Sequence, residues 1–137
     1  MFGLKEARSS FFAGSFLFLL ILSNYWRPDF ISRPDLLFLS AILIQVVMIL
    51  AKLETIDEAK TIALFHVIGL ILELYKTSPQ VGSWSYPELG IFHIAGVPLY
   101  SGFMYASIGS YVAQTWKVFK LNLVRAPSYK ISLLLAY

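Results

Sequence analysis

The chain has 137 residues, the length of one ordinary domain, yet 58% of them are hydrophobic, 16% aromatic and only 14% charged. Soluble domains carry about 25% charged residues, and so short a chain cannot hide this much apolar surface from water. With a mean hydropathy of +0.69, the composition argues against a soluble enzyme and a disordered tail. The net charge of +3 is too small for a phosphate-binding face, so no nucleic-acid partner is expected. There is no cysteine, which excludes disulfides, thiolate chemistry and zinc-cysteine sites.

The charges are bunched, and the gaps between them mark the expected spans. The stretch 9–26 holds no charge, and its ~27 Å of helix nearly crosses a hydrocarbon core of ~30 Å. A signal peptide is the competing reading, because Lys5 and Arg8 precede the run. The run ends in Ser23-Asn24-Tyr25-Trp26, which suits a membrane interface better than a cleavage site. The polar link 27–35, with Pro28 and Pro34, cannot lie in lipid. Ser32 is placed to cap a helix with Pro34 in its first turn, and a second span is expected over 36–53. Gln45 in its middle fits a helix–helix hydrogen bond.

Thr55-Ile56-Asp57-Glu58 reads as a capping box and opens a third span over 58–76. The segment 77–97 interleaves glycine, proline and aromatics without a helical period, as expected of an interfacial or re-entrant loop. A fourth span is expected over 98–119. A fifth apolar run, 128–137, stops after ten residues, which suggests a chain cut inside a longer protein. The fold expected is therefore an all-α polytopic transmembrane bundle with four full spans and a truncated fifth, forming one transmembrane domain over residues 1–137.

Sidedness follows from Lys and Arg. With a cytoplasmic N-terminus, eight lie inside (Lys5, Arg8, Lys52, Lys60, Lys117, Lys120, Arg125 and Lys130) and three outside (Arg27, Arg33 and Lys76). This favours a multi-pass protein of the bacterial cytoplasmic (inner) membrane with its N-terminus inside and the 77–97 loop outside.

Three constellations could carry chemistry. His66 and Glu73 stand seven residues apart, ~700° of helix rotation, so they share a face. An ionised group inside a span costs at least about 2.5 kcal/mol and suggests a site by default. As a desolvated carboxyl, Glu73 is a candidate proton donor, with His66 its catalytic neighbour. The plainer reading pairs Glu73 with Lys76 at the interface and has His66 bond a neighbouring helix. In the loop, Trp84 and Tyr86, together with Tyr105 on the fourth helix, offer flat apolar faces and polar tips for a lipid or isoprenoid ligand, and Glu88 and His93 add two titratable groups to that candidate binding set. An ordinary aromatic belt would use the same residues. Gly102, Ala106, Gly109 and Ala113 form a small-residue stripe for close helix packing. No nucleotide-binding, nucleophile-elbow or zinc-protease motif is present. No cofactor and no metal site are expected.

The strings Gly82-Ser83-Trp84-Ser85-Tyr86-Pro87 and Gly96-Val97-Pro98-Leu99-Tyr100-Ser101-Gly102-Phe103-Met104-Tyr105-Ala106, with Glu73-Leu74-Tyr75-Lys76-Thr77 before them, resemble a bacterial integral membrane family known as domain of unknown function 817. The resemblance implies a polytopic protein about twice this length, with further spans and a His-rich segment downstream, and it leaves the activity open. A fainter similarity is to membrane enzymes of carotenoid biosynthesis, which also set a Glu in a span ahead of a Gly/aromatic loop. It implies a mechanism in which Glu73 protonates a polyene while Trp84, Tyr86 and Tyr105 cradle the cation. A transporter component or a purely structural bundle is the remaining alternative.

Overall fold

Local chemistry sets the helix boundaries in the computed structural model, which describes residues 2–122 and, beyond them, 124, 127, 128, 131 and 132. The apolar N-terminal stretch forms two consecutive helices, α1 (Phe2–Ser9) and α2 (Phe11–Leu22). Helix therefore begins well before the uncharged run expected at 9–26, with a break near Ser10. The Ser9 and Ser10 hydroxyls turn back to the carbonyls of Lys5 and Glu6, at 2.9 and 2.8 Å. Such back-bonding loosens the helical ladder at the junction.

Helix α3 (Arg33–Leu50) starts three residues earlier than the span expected at 36–53 and ends three earlier. Its start is set by Ser32, whose Oγ accepts from the Asp35 amide at 3.3 Å, with Pro34 in the first turn. Past its end, Lys52 takes φ 56°, a left-handed conformation that a continuing α-helix does not contain. Thr55 and Glu58 then form the reciprocal capping box, at 3.2 and 2.7 Å, that opens α4 (Ile56–Thr77). Helix α5 covers Tyr100–Phe119.

Between α4 and α5 the chain makes a small antiparallel hairpin, β1 (His93–Ile94) with β2 (Val97–Pro98). Its two-residue turn has Ala95 at φ 47° and Gly96 at φ 81°, the paired positive φ that a tight hairpin needs. Apart from this hairpin, the described regular structure is all helical, as the composition implied.

Helices α1 and α2 run the same way, α3, α4 and α5 then alternate in direction, and their ends meet. Arg27 before α3 reaches Glu88 after α4 at 2.7 Å. At the opposite end Lys117 of α5 pairs with Glu58 of α4 at 3.0 Å, and Phe2 stacks on Phe119 with centroids 5.3 Å apart. The most extensive pairing is α4 with α5. Residues of the small-residue stripe meet α4: a Cβ on Gly102 would stand 2.7 Å from the His66 carbonyl oxygen, and one on Gly109 2.7 Å from the Phe65 ring. Ala106 is fully buried, whereas Ala113 is half-buried.

The main apolar cluster joins Phe12, Phe16, Leu37, Ala41, Met48 and Tyr100. Polar groups share the interior: Asp35, Glu54, Glu73, Ser110 and Gln114 are all buried. Large apolar side chains line the outside, among them Phe18, Leu43, Val47, Leu64, Ile71 and Val112. By length and composition, one described helix, α3, is long and apolar enough to cross a membrane. Helix α2 is apolar but only twelve residues long. Helices α4 and α5 have the length, but charges in the one and serines and tyrosines in the other dilute their apolarity. The fifth run expected at 128–137 lies largely outside the described residues.

Candidate functional site

Glu73 sits in the last turns of α4 and is 1% exposed. Its Oε2 accepts from the Tyr86 hydroxyl at 2.6 Å and from the Trp84 indole N–H at 3.2 Å. Its Oε1 accepts from the Tyr105 hydroxyl at 2.6 Å and faces Lys76 Nζ at 3.7 Å. Lys76 also donates to Tyr105 Oη at 2.7 Å and lies over the Trp84 ring, 5.1 Å from its centroid. Three hydrogen-bond donors from the loop and α5, and the full positive charge of Lys76 on α4, thus converge on one carboxylate. Charge-assisted bonds of this kind are the strong ones. They give a buried anion the compensation it needs.

The local sequence explains the convergence. Glu73 and Lys76 are three apart on one helix and therefore adjacent. Gly69, one turn before Glu73, lets the Tyr105 ring lie against the helix backbone; a Cβ there would stand 2.6 Å from Tyr105 Cδ2. Burial, reinforced by the hydrogen bond to Glu73, raises the pKa of the Tyr86 phenol above its ordinary value. Tyr86 is therefore a hydroxyl donor at every physiological pH.

A second carboxylate ties the same loop to the bundle. Asp35 in the first turn of α3 accepts from the amides of Ile91 and Phe92, each at 2.9 Å. The Ser32 hydroxyl donates to it at 2.6 Å. Gly90 makes this approach possible, since it has φ 71° and a Cβ there would stand 2.6 Å from Asp35 Oδ1. One turn of α3 therefore serves as both helix start and loop anchor.

Of the residues singled out from the sequence, Glu73, Trp84, Tyr86 and Tyr105 come together. His66 does not join them. Two turns along α4, its ring packs on Phe103 at 4.2 Å, and it lines an apolar cleft of about 180 Å³ with Ile42, Gln45, Val46 and Ile62. His66 Nδ1 is buried without a hydrogen-bond partner among the described residues. Glu88 turns outward to Arg27 and the Arg33 amide, at 2.7 and 3.3 Å. His93 is exposed, with Nδ1 3.1 Å from the Gly90 carbonyl.

The family model for proteins of unknown function, DUF817, matches residues 1–137. The chain belongs to that family. An "Uncharacterized protein YoaT" from Bacillus subtilis (strain 168) is 47% identical over 128 residues, which cover 93% of this chain and 48% of that protein. The chain therefore spans about half the length of this DUF817 relative. No solved structure matches it.

Several buried groups of this DUF817 chain are not among the residues the sequence singled out. Asp35 read as part of a helix start, because its partners lie more than fifty positions away. Glu54 carried no reading from the sequence, yet it is 3% exposed and folds back into the bundle. There it accepts from Ser110 Oγ at 2.8 Å and from the Gln45 amide. Ser110 and Gln114, four apart on α5, do carry a legible signal: two polar side chains on one face of a helix read as a span. Gly69 was visible only as a glycine in a helix.

Proposed function

We propose that the protein is a multi-pass membrane protein that holds an apolar, lipid- or isoprenoid-like molecule at the outer end of its bundle. The Glu73–Lys76 pair is the polar end of that site, and Trp84, Tyr86 and Tyr105 form its aromatic wall. The observation that carries the membrane reading is the reversed polarity of the bundle. Carboxylates, serines and a glutamine are turned inward while Leu43, Val47, Leu64, Ile71 and their neighbours are turned out. Soluble proteins keep exposed apolar patches to a few hundred Å², whereas lipid takes up such faces without cost.

The alternating helices, with α2 leading in from the N-terminus, set the loops 23–32 and 78–99 at one end. The basic residues Lys5, Arg8 and Lys117 border a shared pocket at the other. This arrangement supports a cytoplasmic N-terminus in the bacterial cytoplasmic membrane. In an enzymatic reading Glu73 itself protonates a polyene, which requires the carboxyl to carry a proton and present it to the ligand. Three of its neighbours donate to its oxygens, and the fourth, Lys76, sets a positive charge beside them. That reading therefore draws less support than one in which Glu73 is a fixed acceptor.

The natural chain has no cysteine, so single cysteines report topology cleanly. Ser85→Cys should react with an impermeant maleimide in intact cells, and Lys52→Cys only after permeabilisation. Labelling of both from the same side, or recovery of the protein in the soluble fraction, overturns the membrane reading. The ligand reading is tested by Trp84 fluorescence in vesicles doped with a polyisoprenol. A saturable change absent from Glu73→Gln is expected, and a flat titration overturns it.

A further inference from the structure

The inner half of the bundle holds a second buried carboxylate whose surroundings differ from those of Glu73. Glu54 is 3% exposed, and its two described partners are neutral: the Ser110 hydroxyl and the Gln45 amide N–H. Lys117 approaches the neighbouring Leu53 carbonyl at 3.5 Å, but its ammonium is engaged by Glu58 at 3.0 Å. No Lys, Arg or His lies within ion-pair distance of Glu54 among the described residues. A lone buried charge is costly unless something of opposite sign joins it.

The neighbourhood also holds more oxygen than it uses. Gln45 Oε1 is buried and has no hydrogen-bond partner among the described residues, on the same amide that donates to Glu54. Gln114, one turn beyond Ser110 on the same face of α5, is 1% exposed, with neither amide atom partnered among the described residues. Each such orphaned group costs about 1–3 kcal/mol unless a ligand or water satisfies it. Carboxylate, amide and hydroxyl oxygens are the donors that hard cations prefer. The charge count selects among those cations. One carboxylate among neutral oxygens balances a single positive charge, and no group of three or more His, Cys, Asp or Glu is gathered for a multivalent ion among the described residues.

We propose that Glu54, Gln45, Ser110 and Gln114 form an internal site for one monovalent alkali cation, bound between α3, the α3–α4 turn and α5. The site is separate from the Glu73 cluster. It stands on burial and oxygen chemistry, so it does not depend on the lipid-ligand reading.

Sodium is the probe. The purified full chain in detergent is dialysed against radioactive sodium at constant ionic strength, with choline as the replacing cation, and its thermal midpoint is followed in parallel. One sodium per chain and a saturable rise in midpoint are expected. Glu54→Gln should abolish both, and Gln114→Leu should weaken binding at least about tenfold. Glu88→Gln, which alters an exposed carboxylate at the other end, should bind as the natural chain does. If Glu54→Gln does not fold, the Gln114→Leu result decides. No stoichiometric binding by the natural chain, binding unchanged in Gln114→Leu, or a midpoint that follows pH and ignores sodium each overturns the proposal.

Discussion

Glu73 and Glu54 are both carboxylates buried in the same bundle, and they are compensated in opposite ways. Around Glu73 the fold supplies two phenols, an indole and an ammonium, drawn from three segments. Around Glu54 it supplies a hydroxyl and an amide, and leaves further amide atoms nearby without a partner among the described residues. The first charge is neutralised from within and organises structure. The second is left for something that arrives from outside. Burial of an acid is therefore a poor guide to its role until its donors are counted.

The sharpest way to break this contrast is to remove the acids. Glu73→Leu would take the acceptor from three hydrogen-bond donors at once and should cost about 3–5 kcal/mol, read by thermal or denaturant unfolding in detergent. Trp84 emission should shift as the indole loses its acceptor. Glu54→Gln in sodium-free buffer should stay within about 1 kcal/mol of the natural chain, because it removes a charge with no charged partner. Equal losses for the two would erase the distinction.

Next in size is Gly69→Ala, whose Cβ would collide with the Tyr105 ring. A loss of about 1–3 kcal/mol is expected, despite the helix preference for alanine of up to about 1 kcal/mol. Its thermal midpoint should fall, and the loss should shrink in a Tyr105→Ala background. Tyr86→Phe removes one hydrogen-bond donor of three and should cost about 1.5 kcal/mol by the same unfolding assay.

An alkaline series gives the sign of that contact independently. The folded-state pKa of Tyr86 is raised, so its contribution is fully present below pH ~10, the ordinary tyrosine value, and is lost as pH climbs through the raised one. The natural chain should lose stability over that range more steeply than Tyr86→Phe. Smallest of all, Arg27→Gln breaks an ion pair whose side chains are 47% and 43% exposed. It should change stability by less than about 1 kcal/mol.

What the sequence disclosed and what it withheld divide along the distance between partners. The Ser32 cap, the Thr55 box and the all-α character depend on neighbours within a few residues, and they were legible. So was the association of Glu73 with Lys76. The gathering of Trp84, Tyr86 and Tyr105 on Glu73 could be anticipated only as a shared region, because its bonds join positions eleven to thirty-two apart. Asp35 and Glu54 were hidden because the partners that draw each into the bundle, the Ile91 amide and the Ser110 hydroxyl, lie fifty-six residues away. His66 shared a helical face with Glu73, but the two turns between them were enough to place it in a different cleft. Glu88 and His93 share the loop with Trp84 and Tyr86, yet Glu88 found Arg27 and His93 remained exposed.

The loop 78–99 is fastened at three places: to α4 through Glu73, to α3 through Asp35, and to the α2–α3 link through Arg27. All three fastenings are made by residues synthesised before the loop itself. During synthesis, Asp35 has only Ser32 and Glu73 only Lys76 beside it until Trp84, Tyr86, Ile91 and Phe92 emerge, and Glu73 waits longer still for Tyr105. The end of the bundle that carries this loop thus closes last. A chain interrupted before residue 84 would leave Asp35 without the Ile91 and Phe92 amides and Glu73 without the Trp84, Tyr86 and Tyr105 donors.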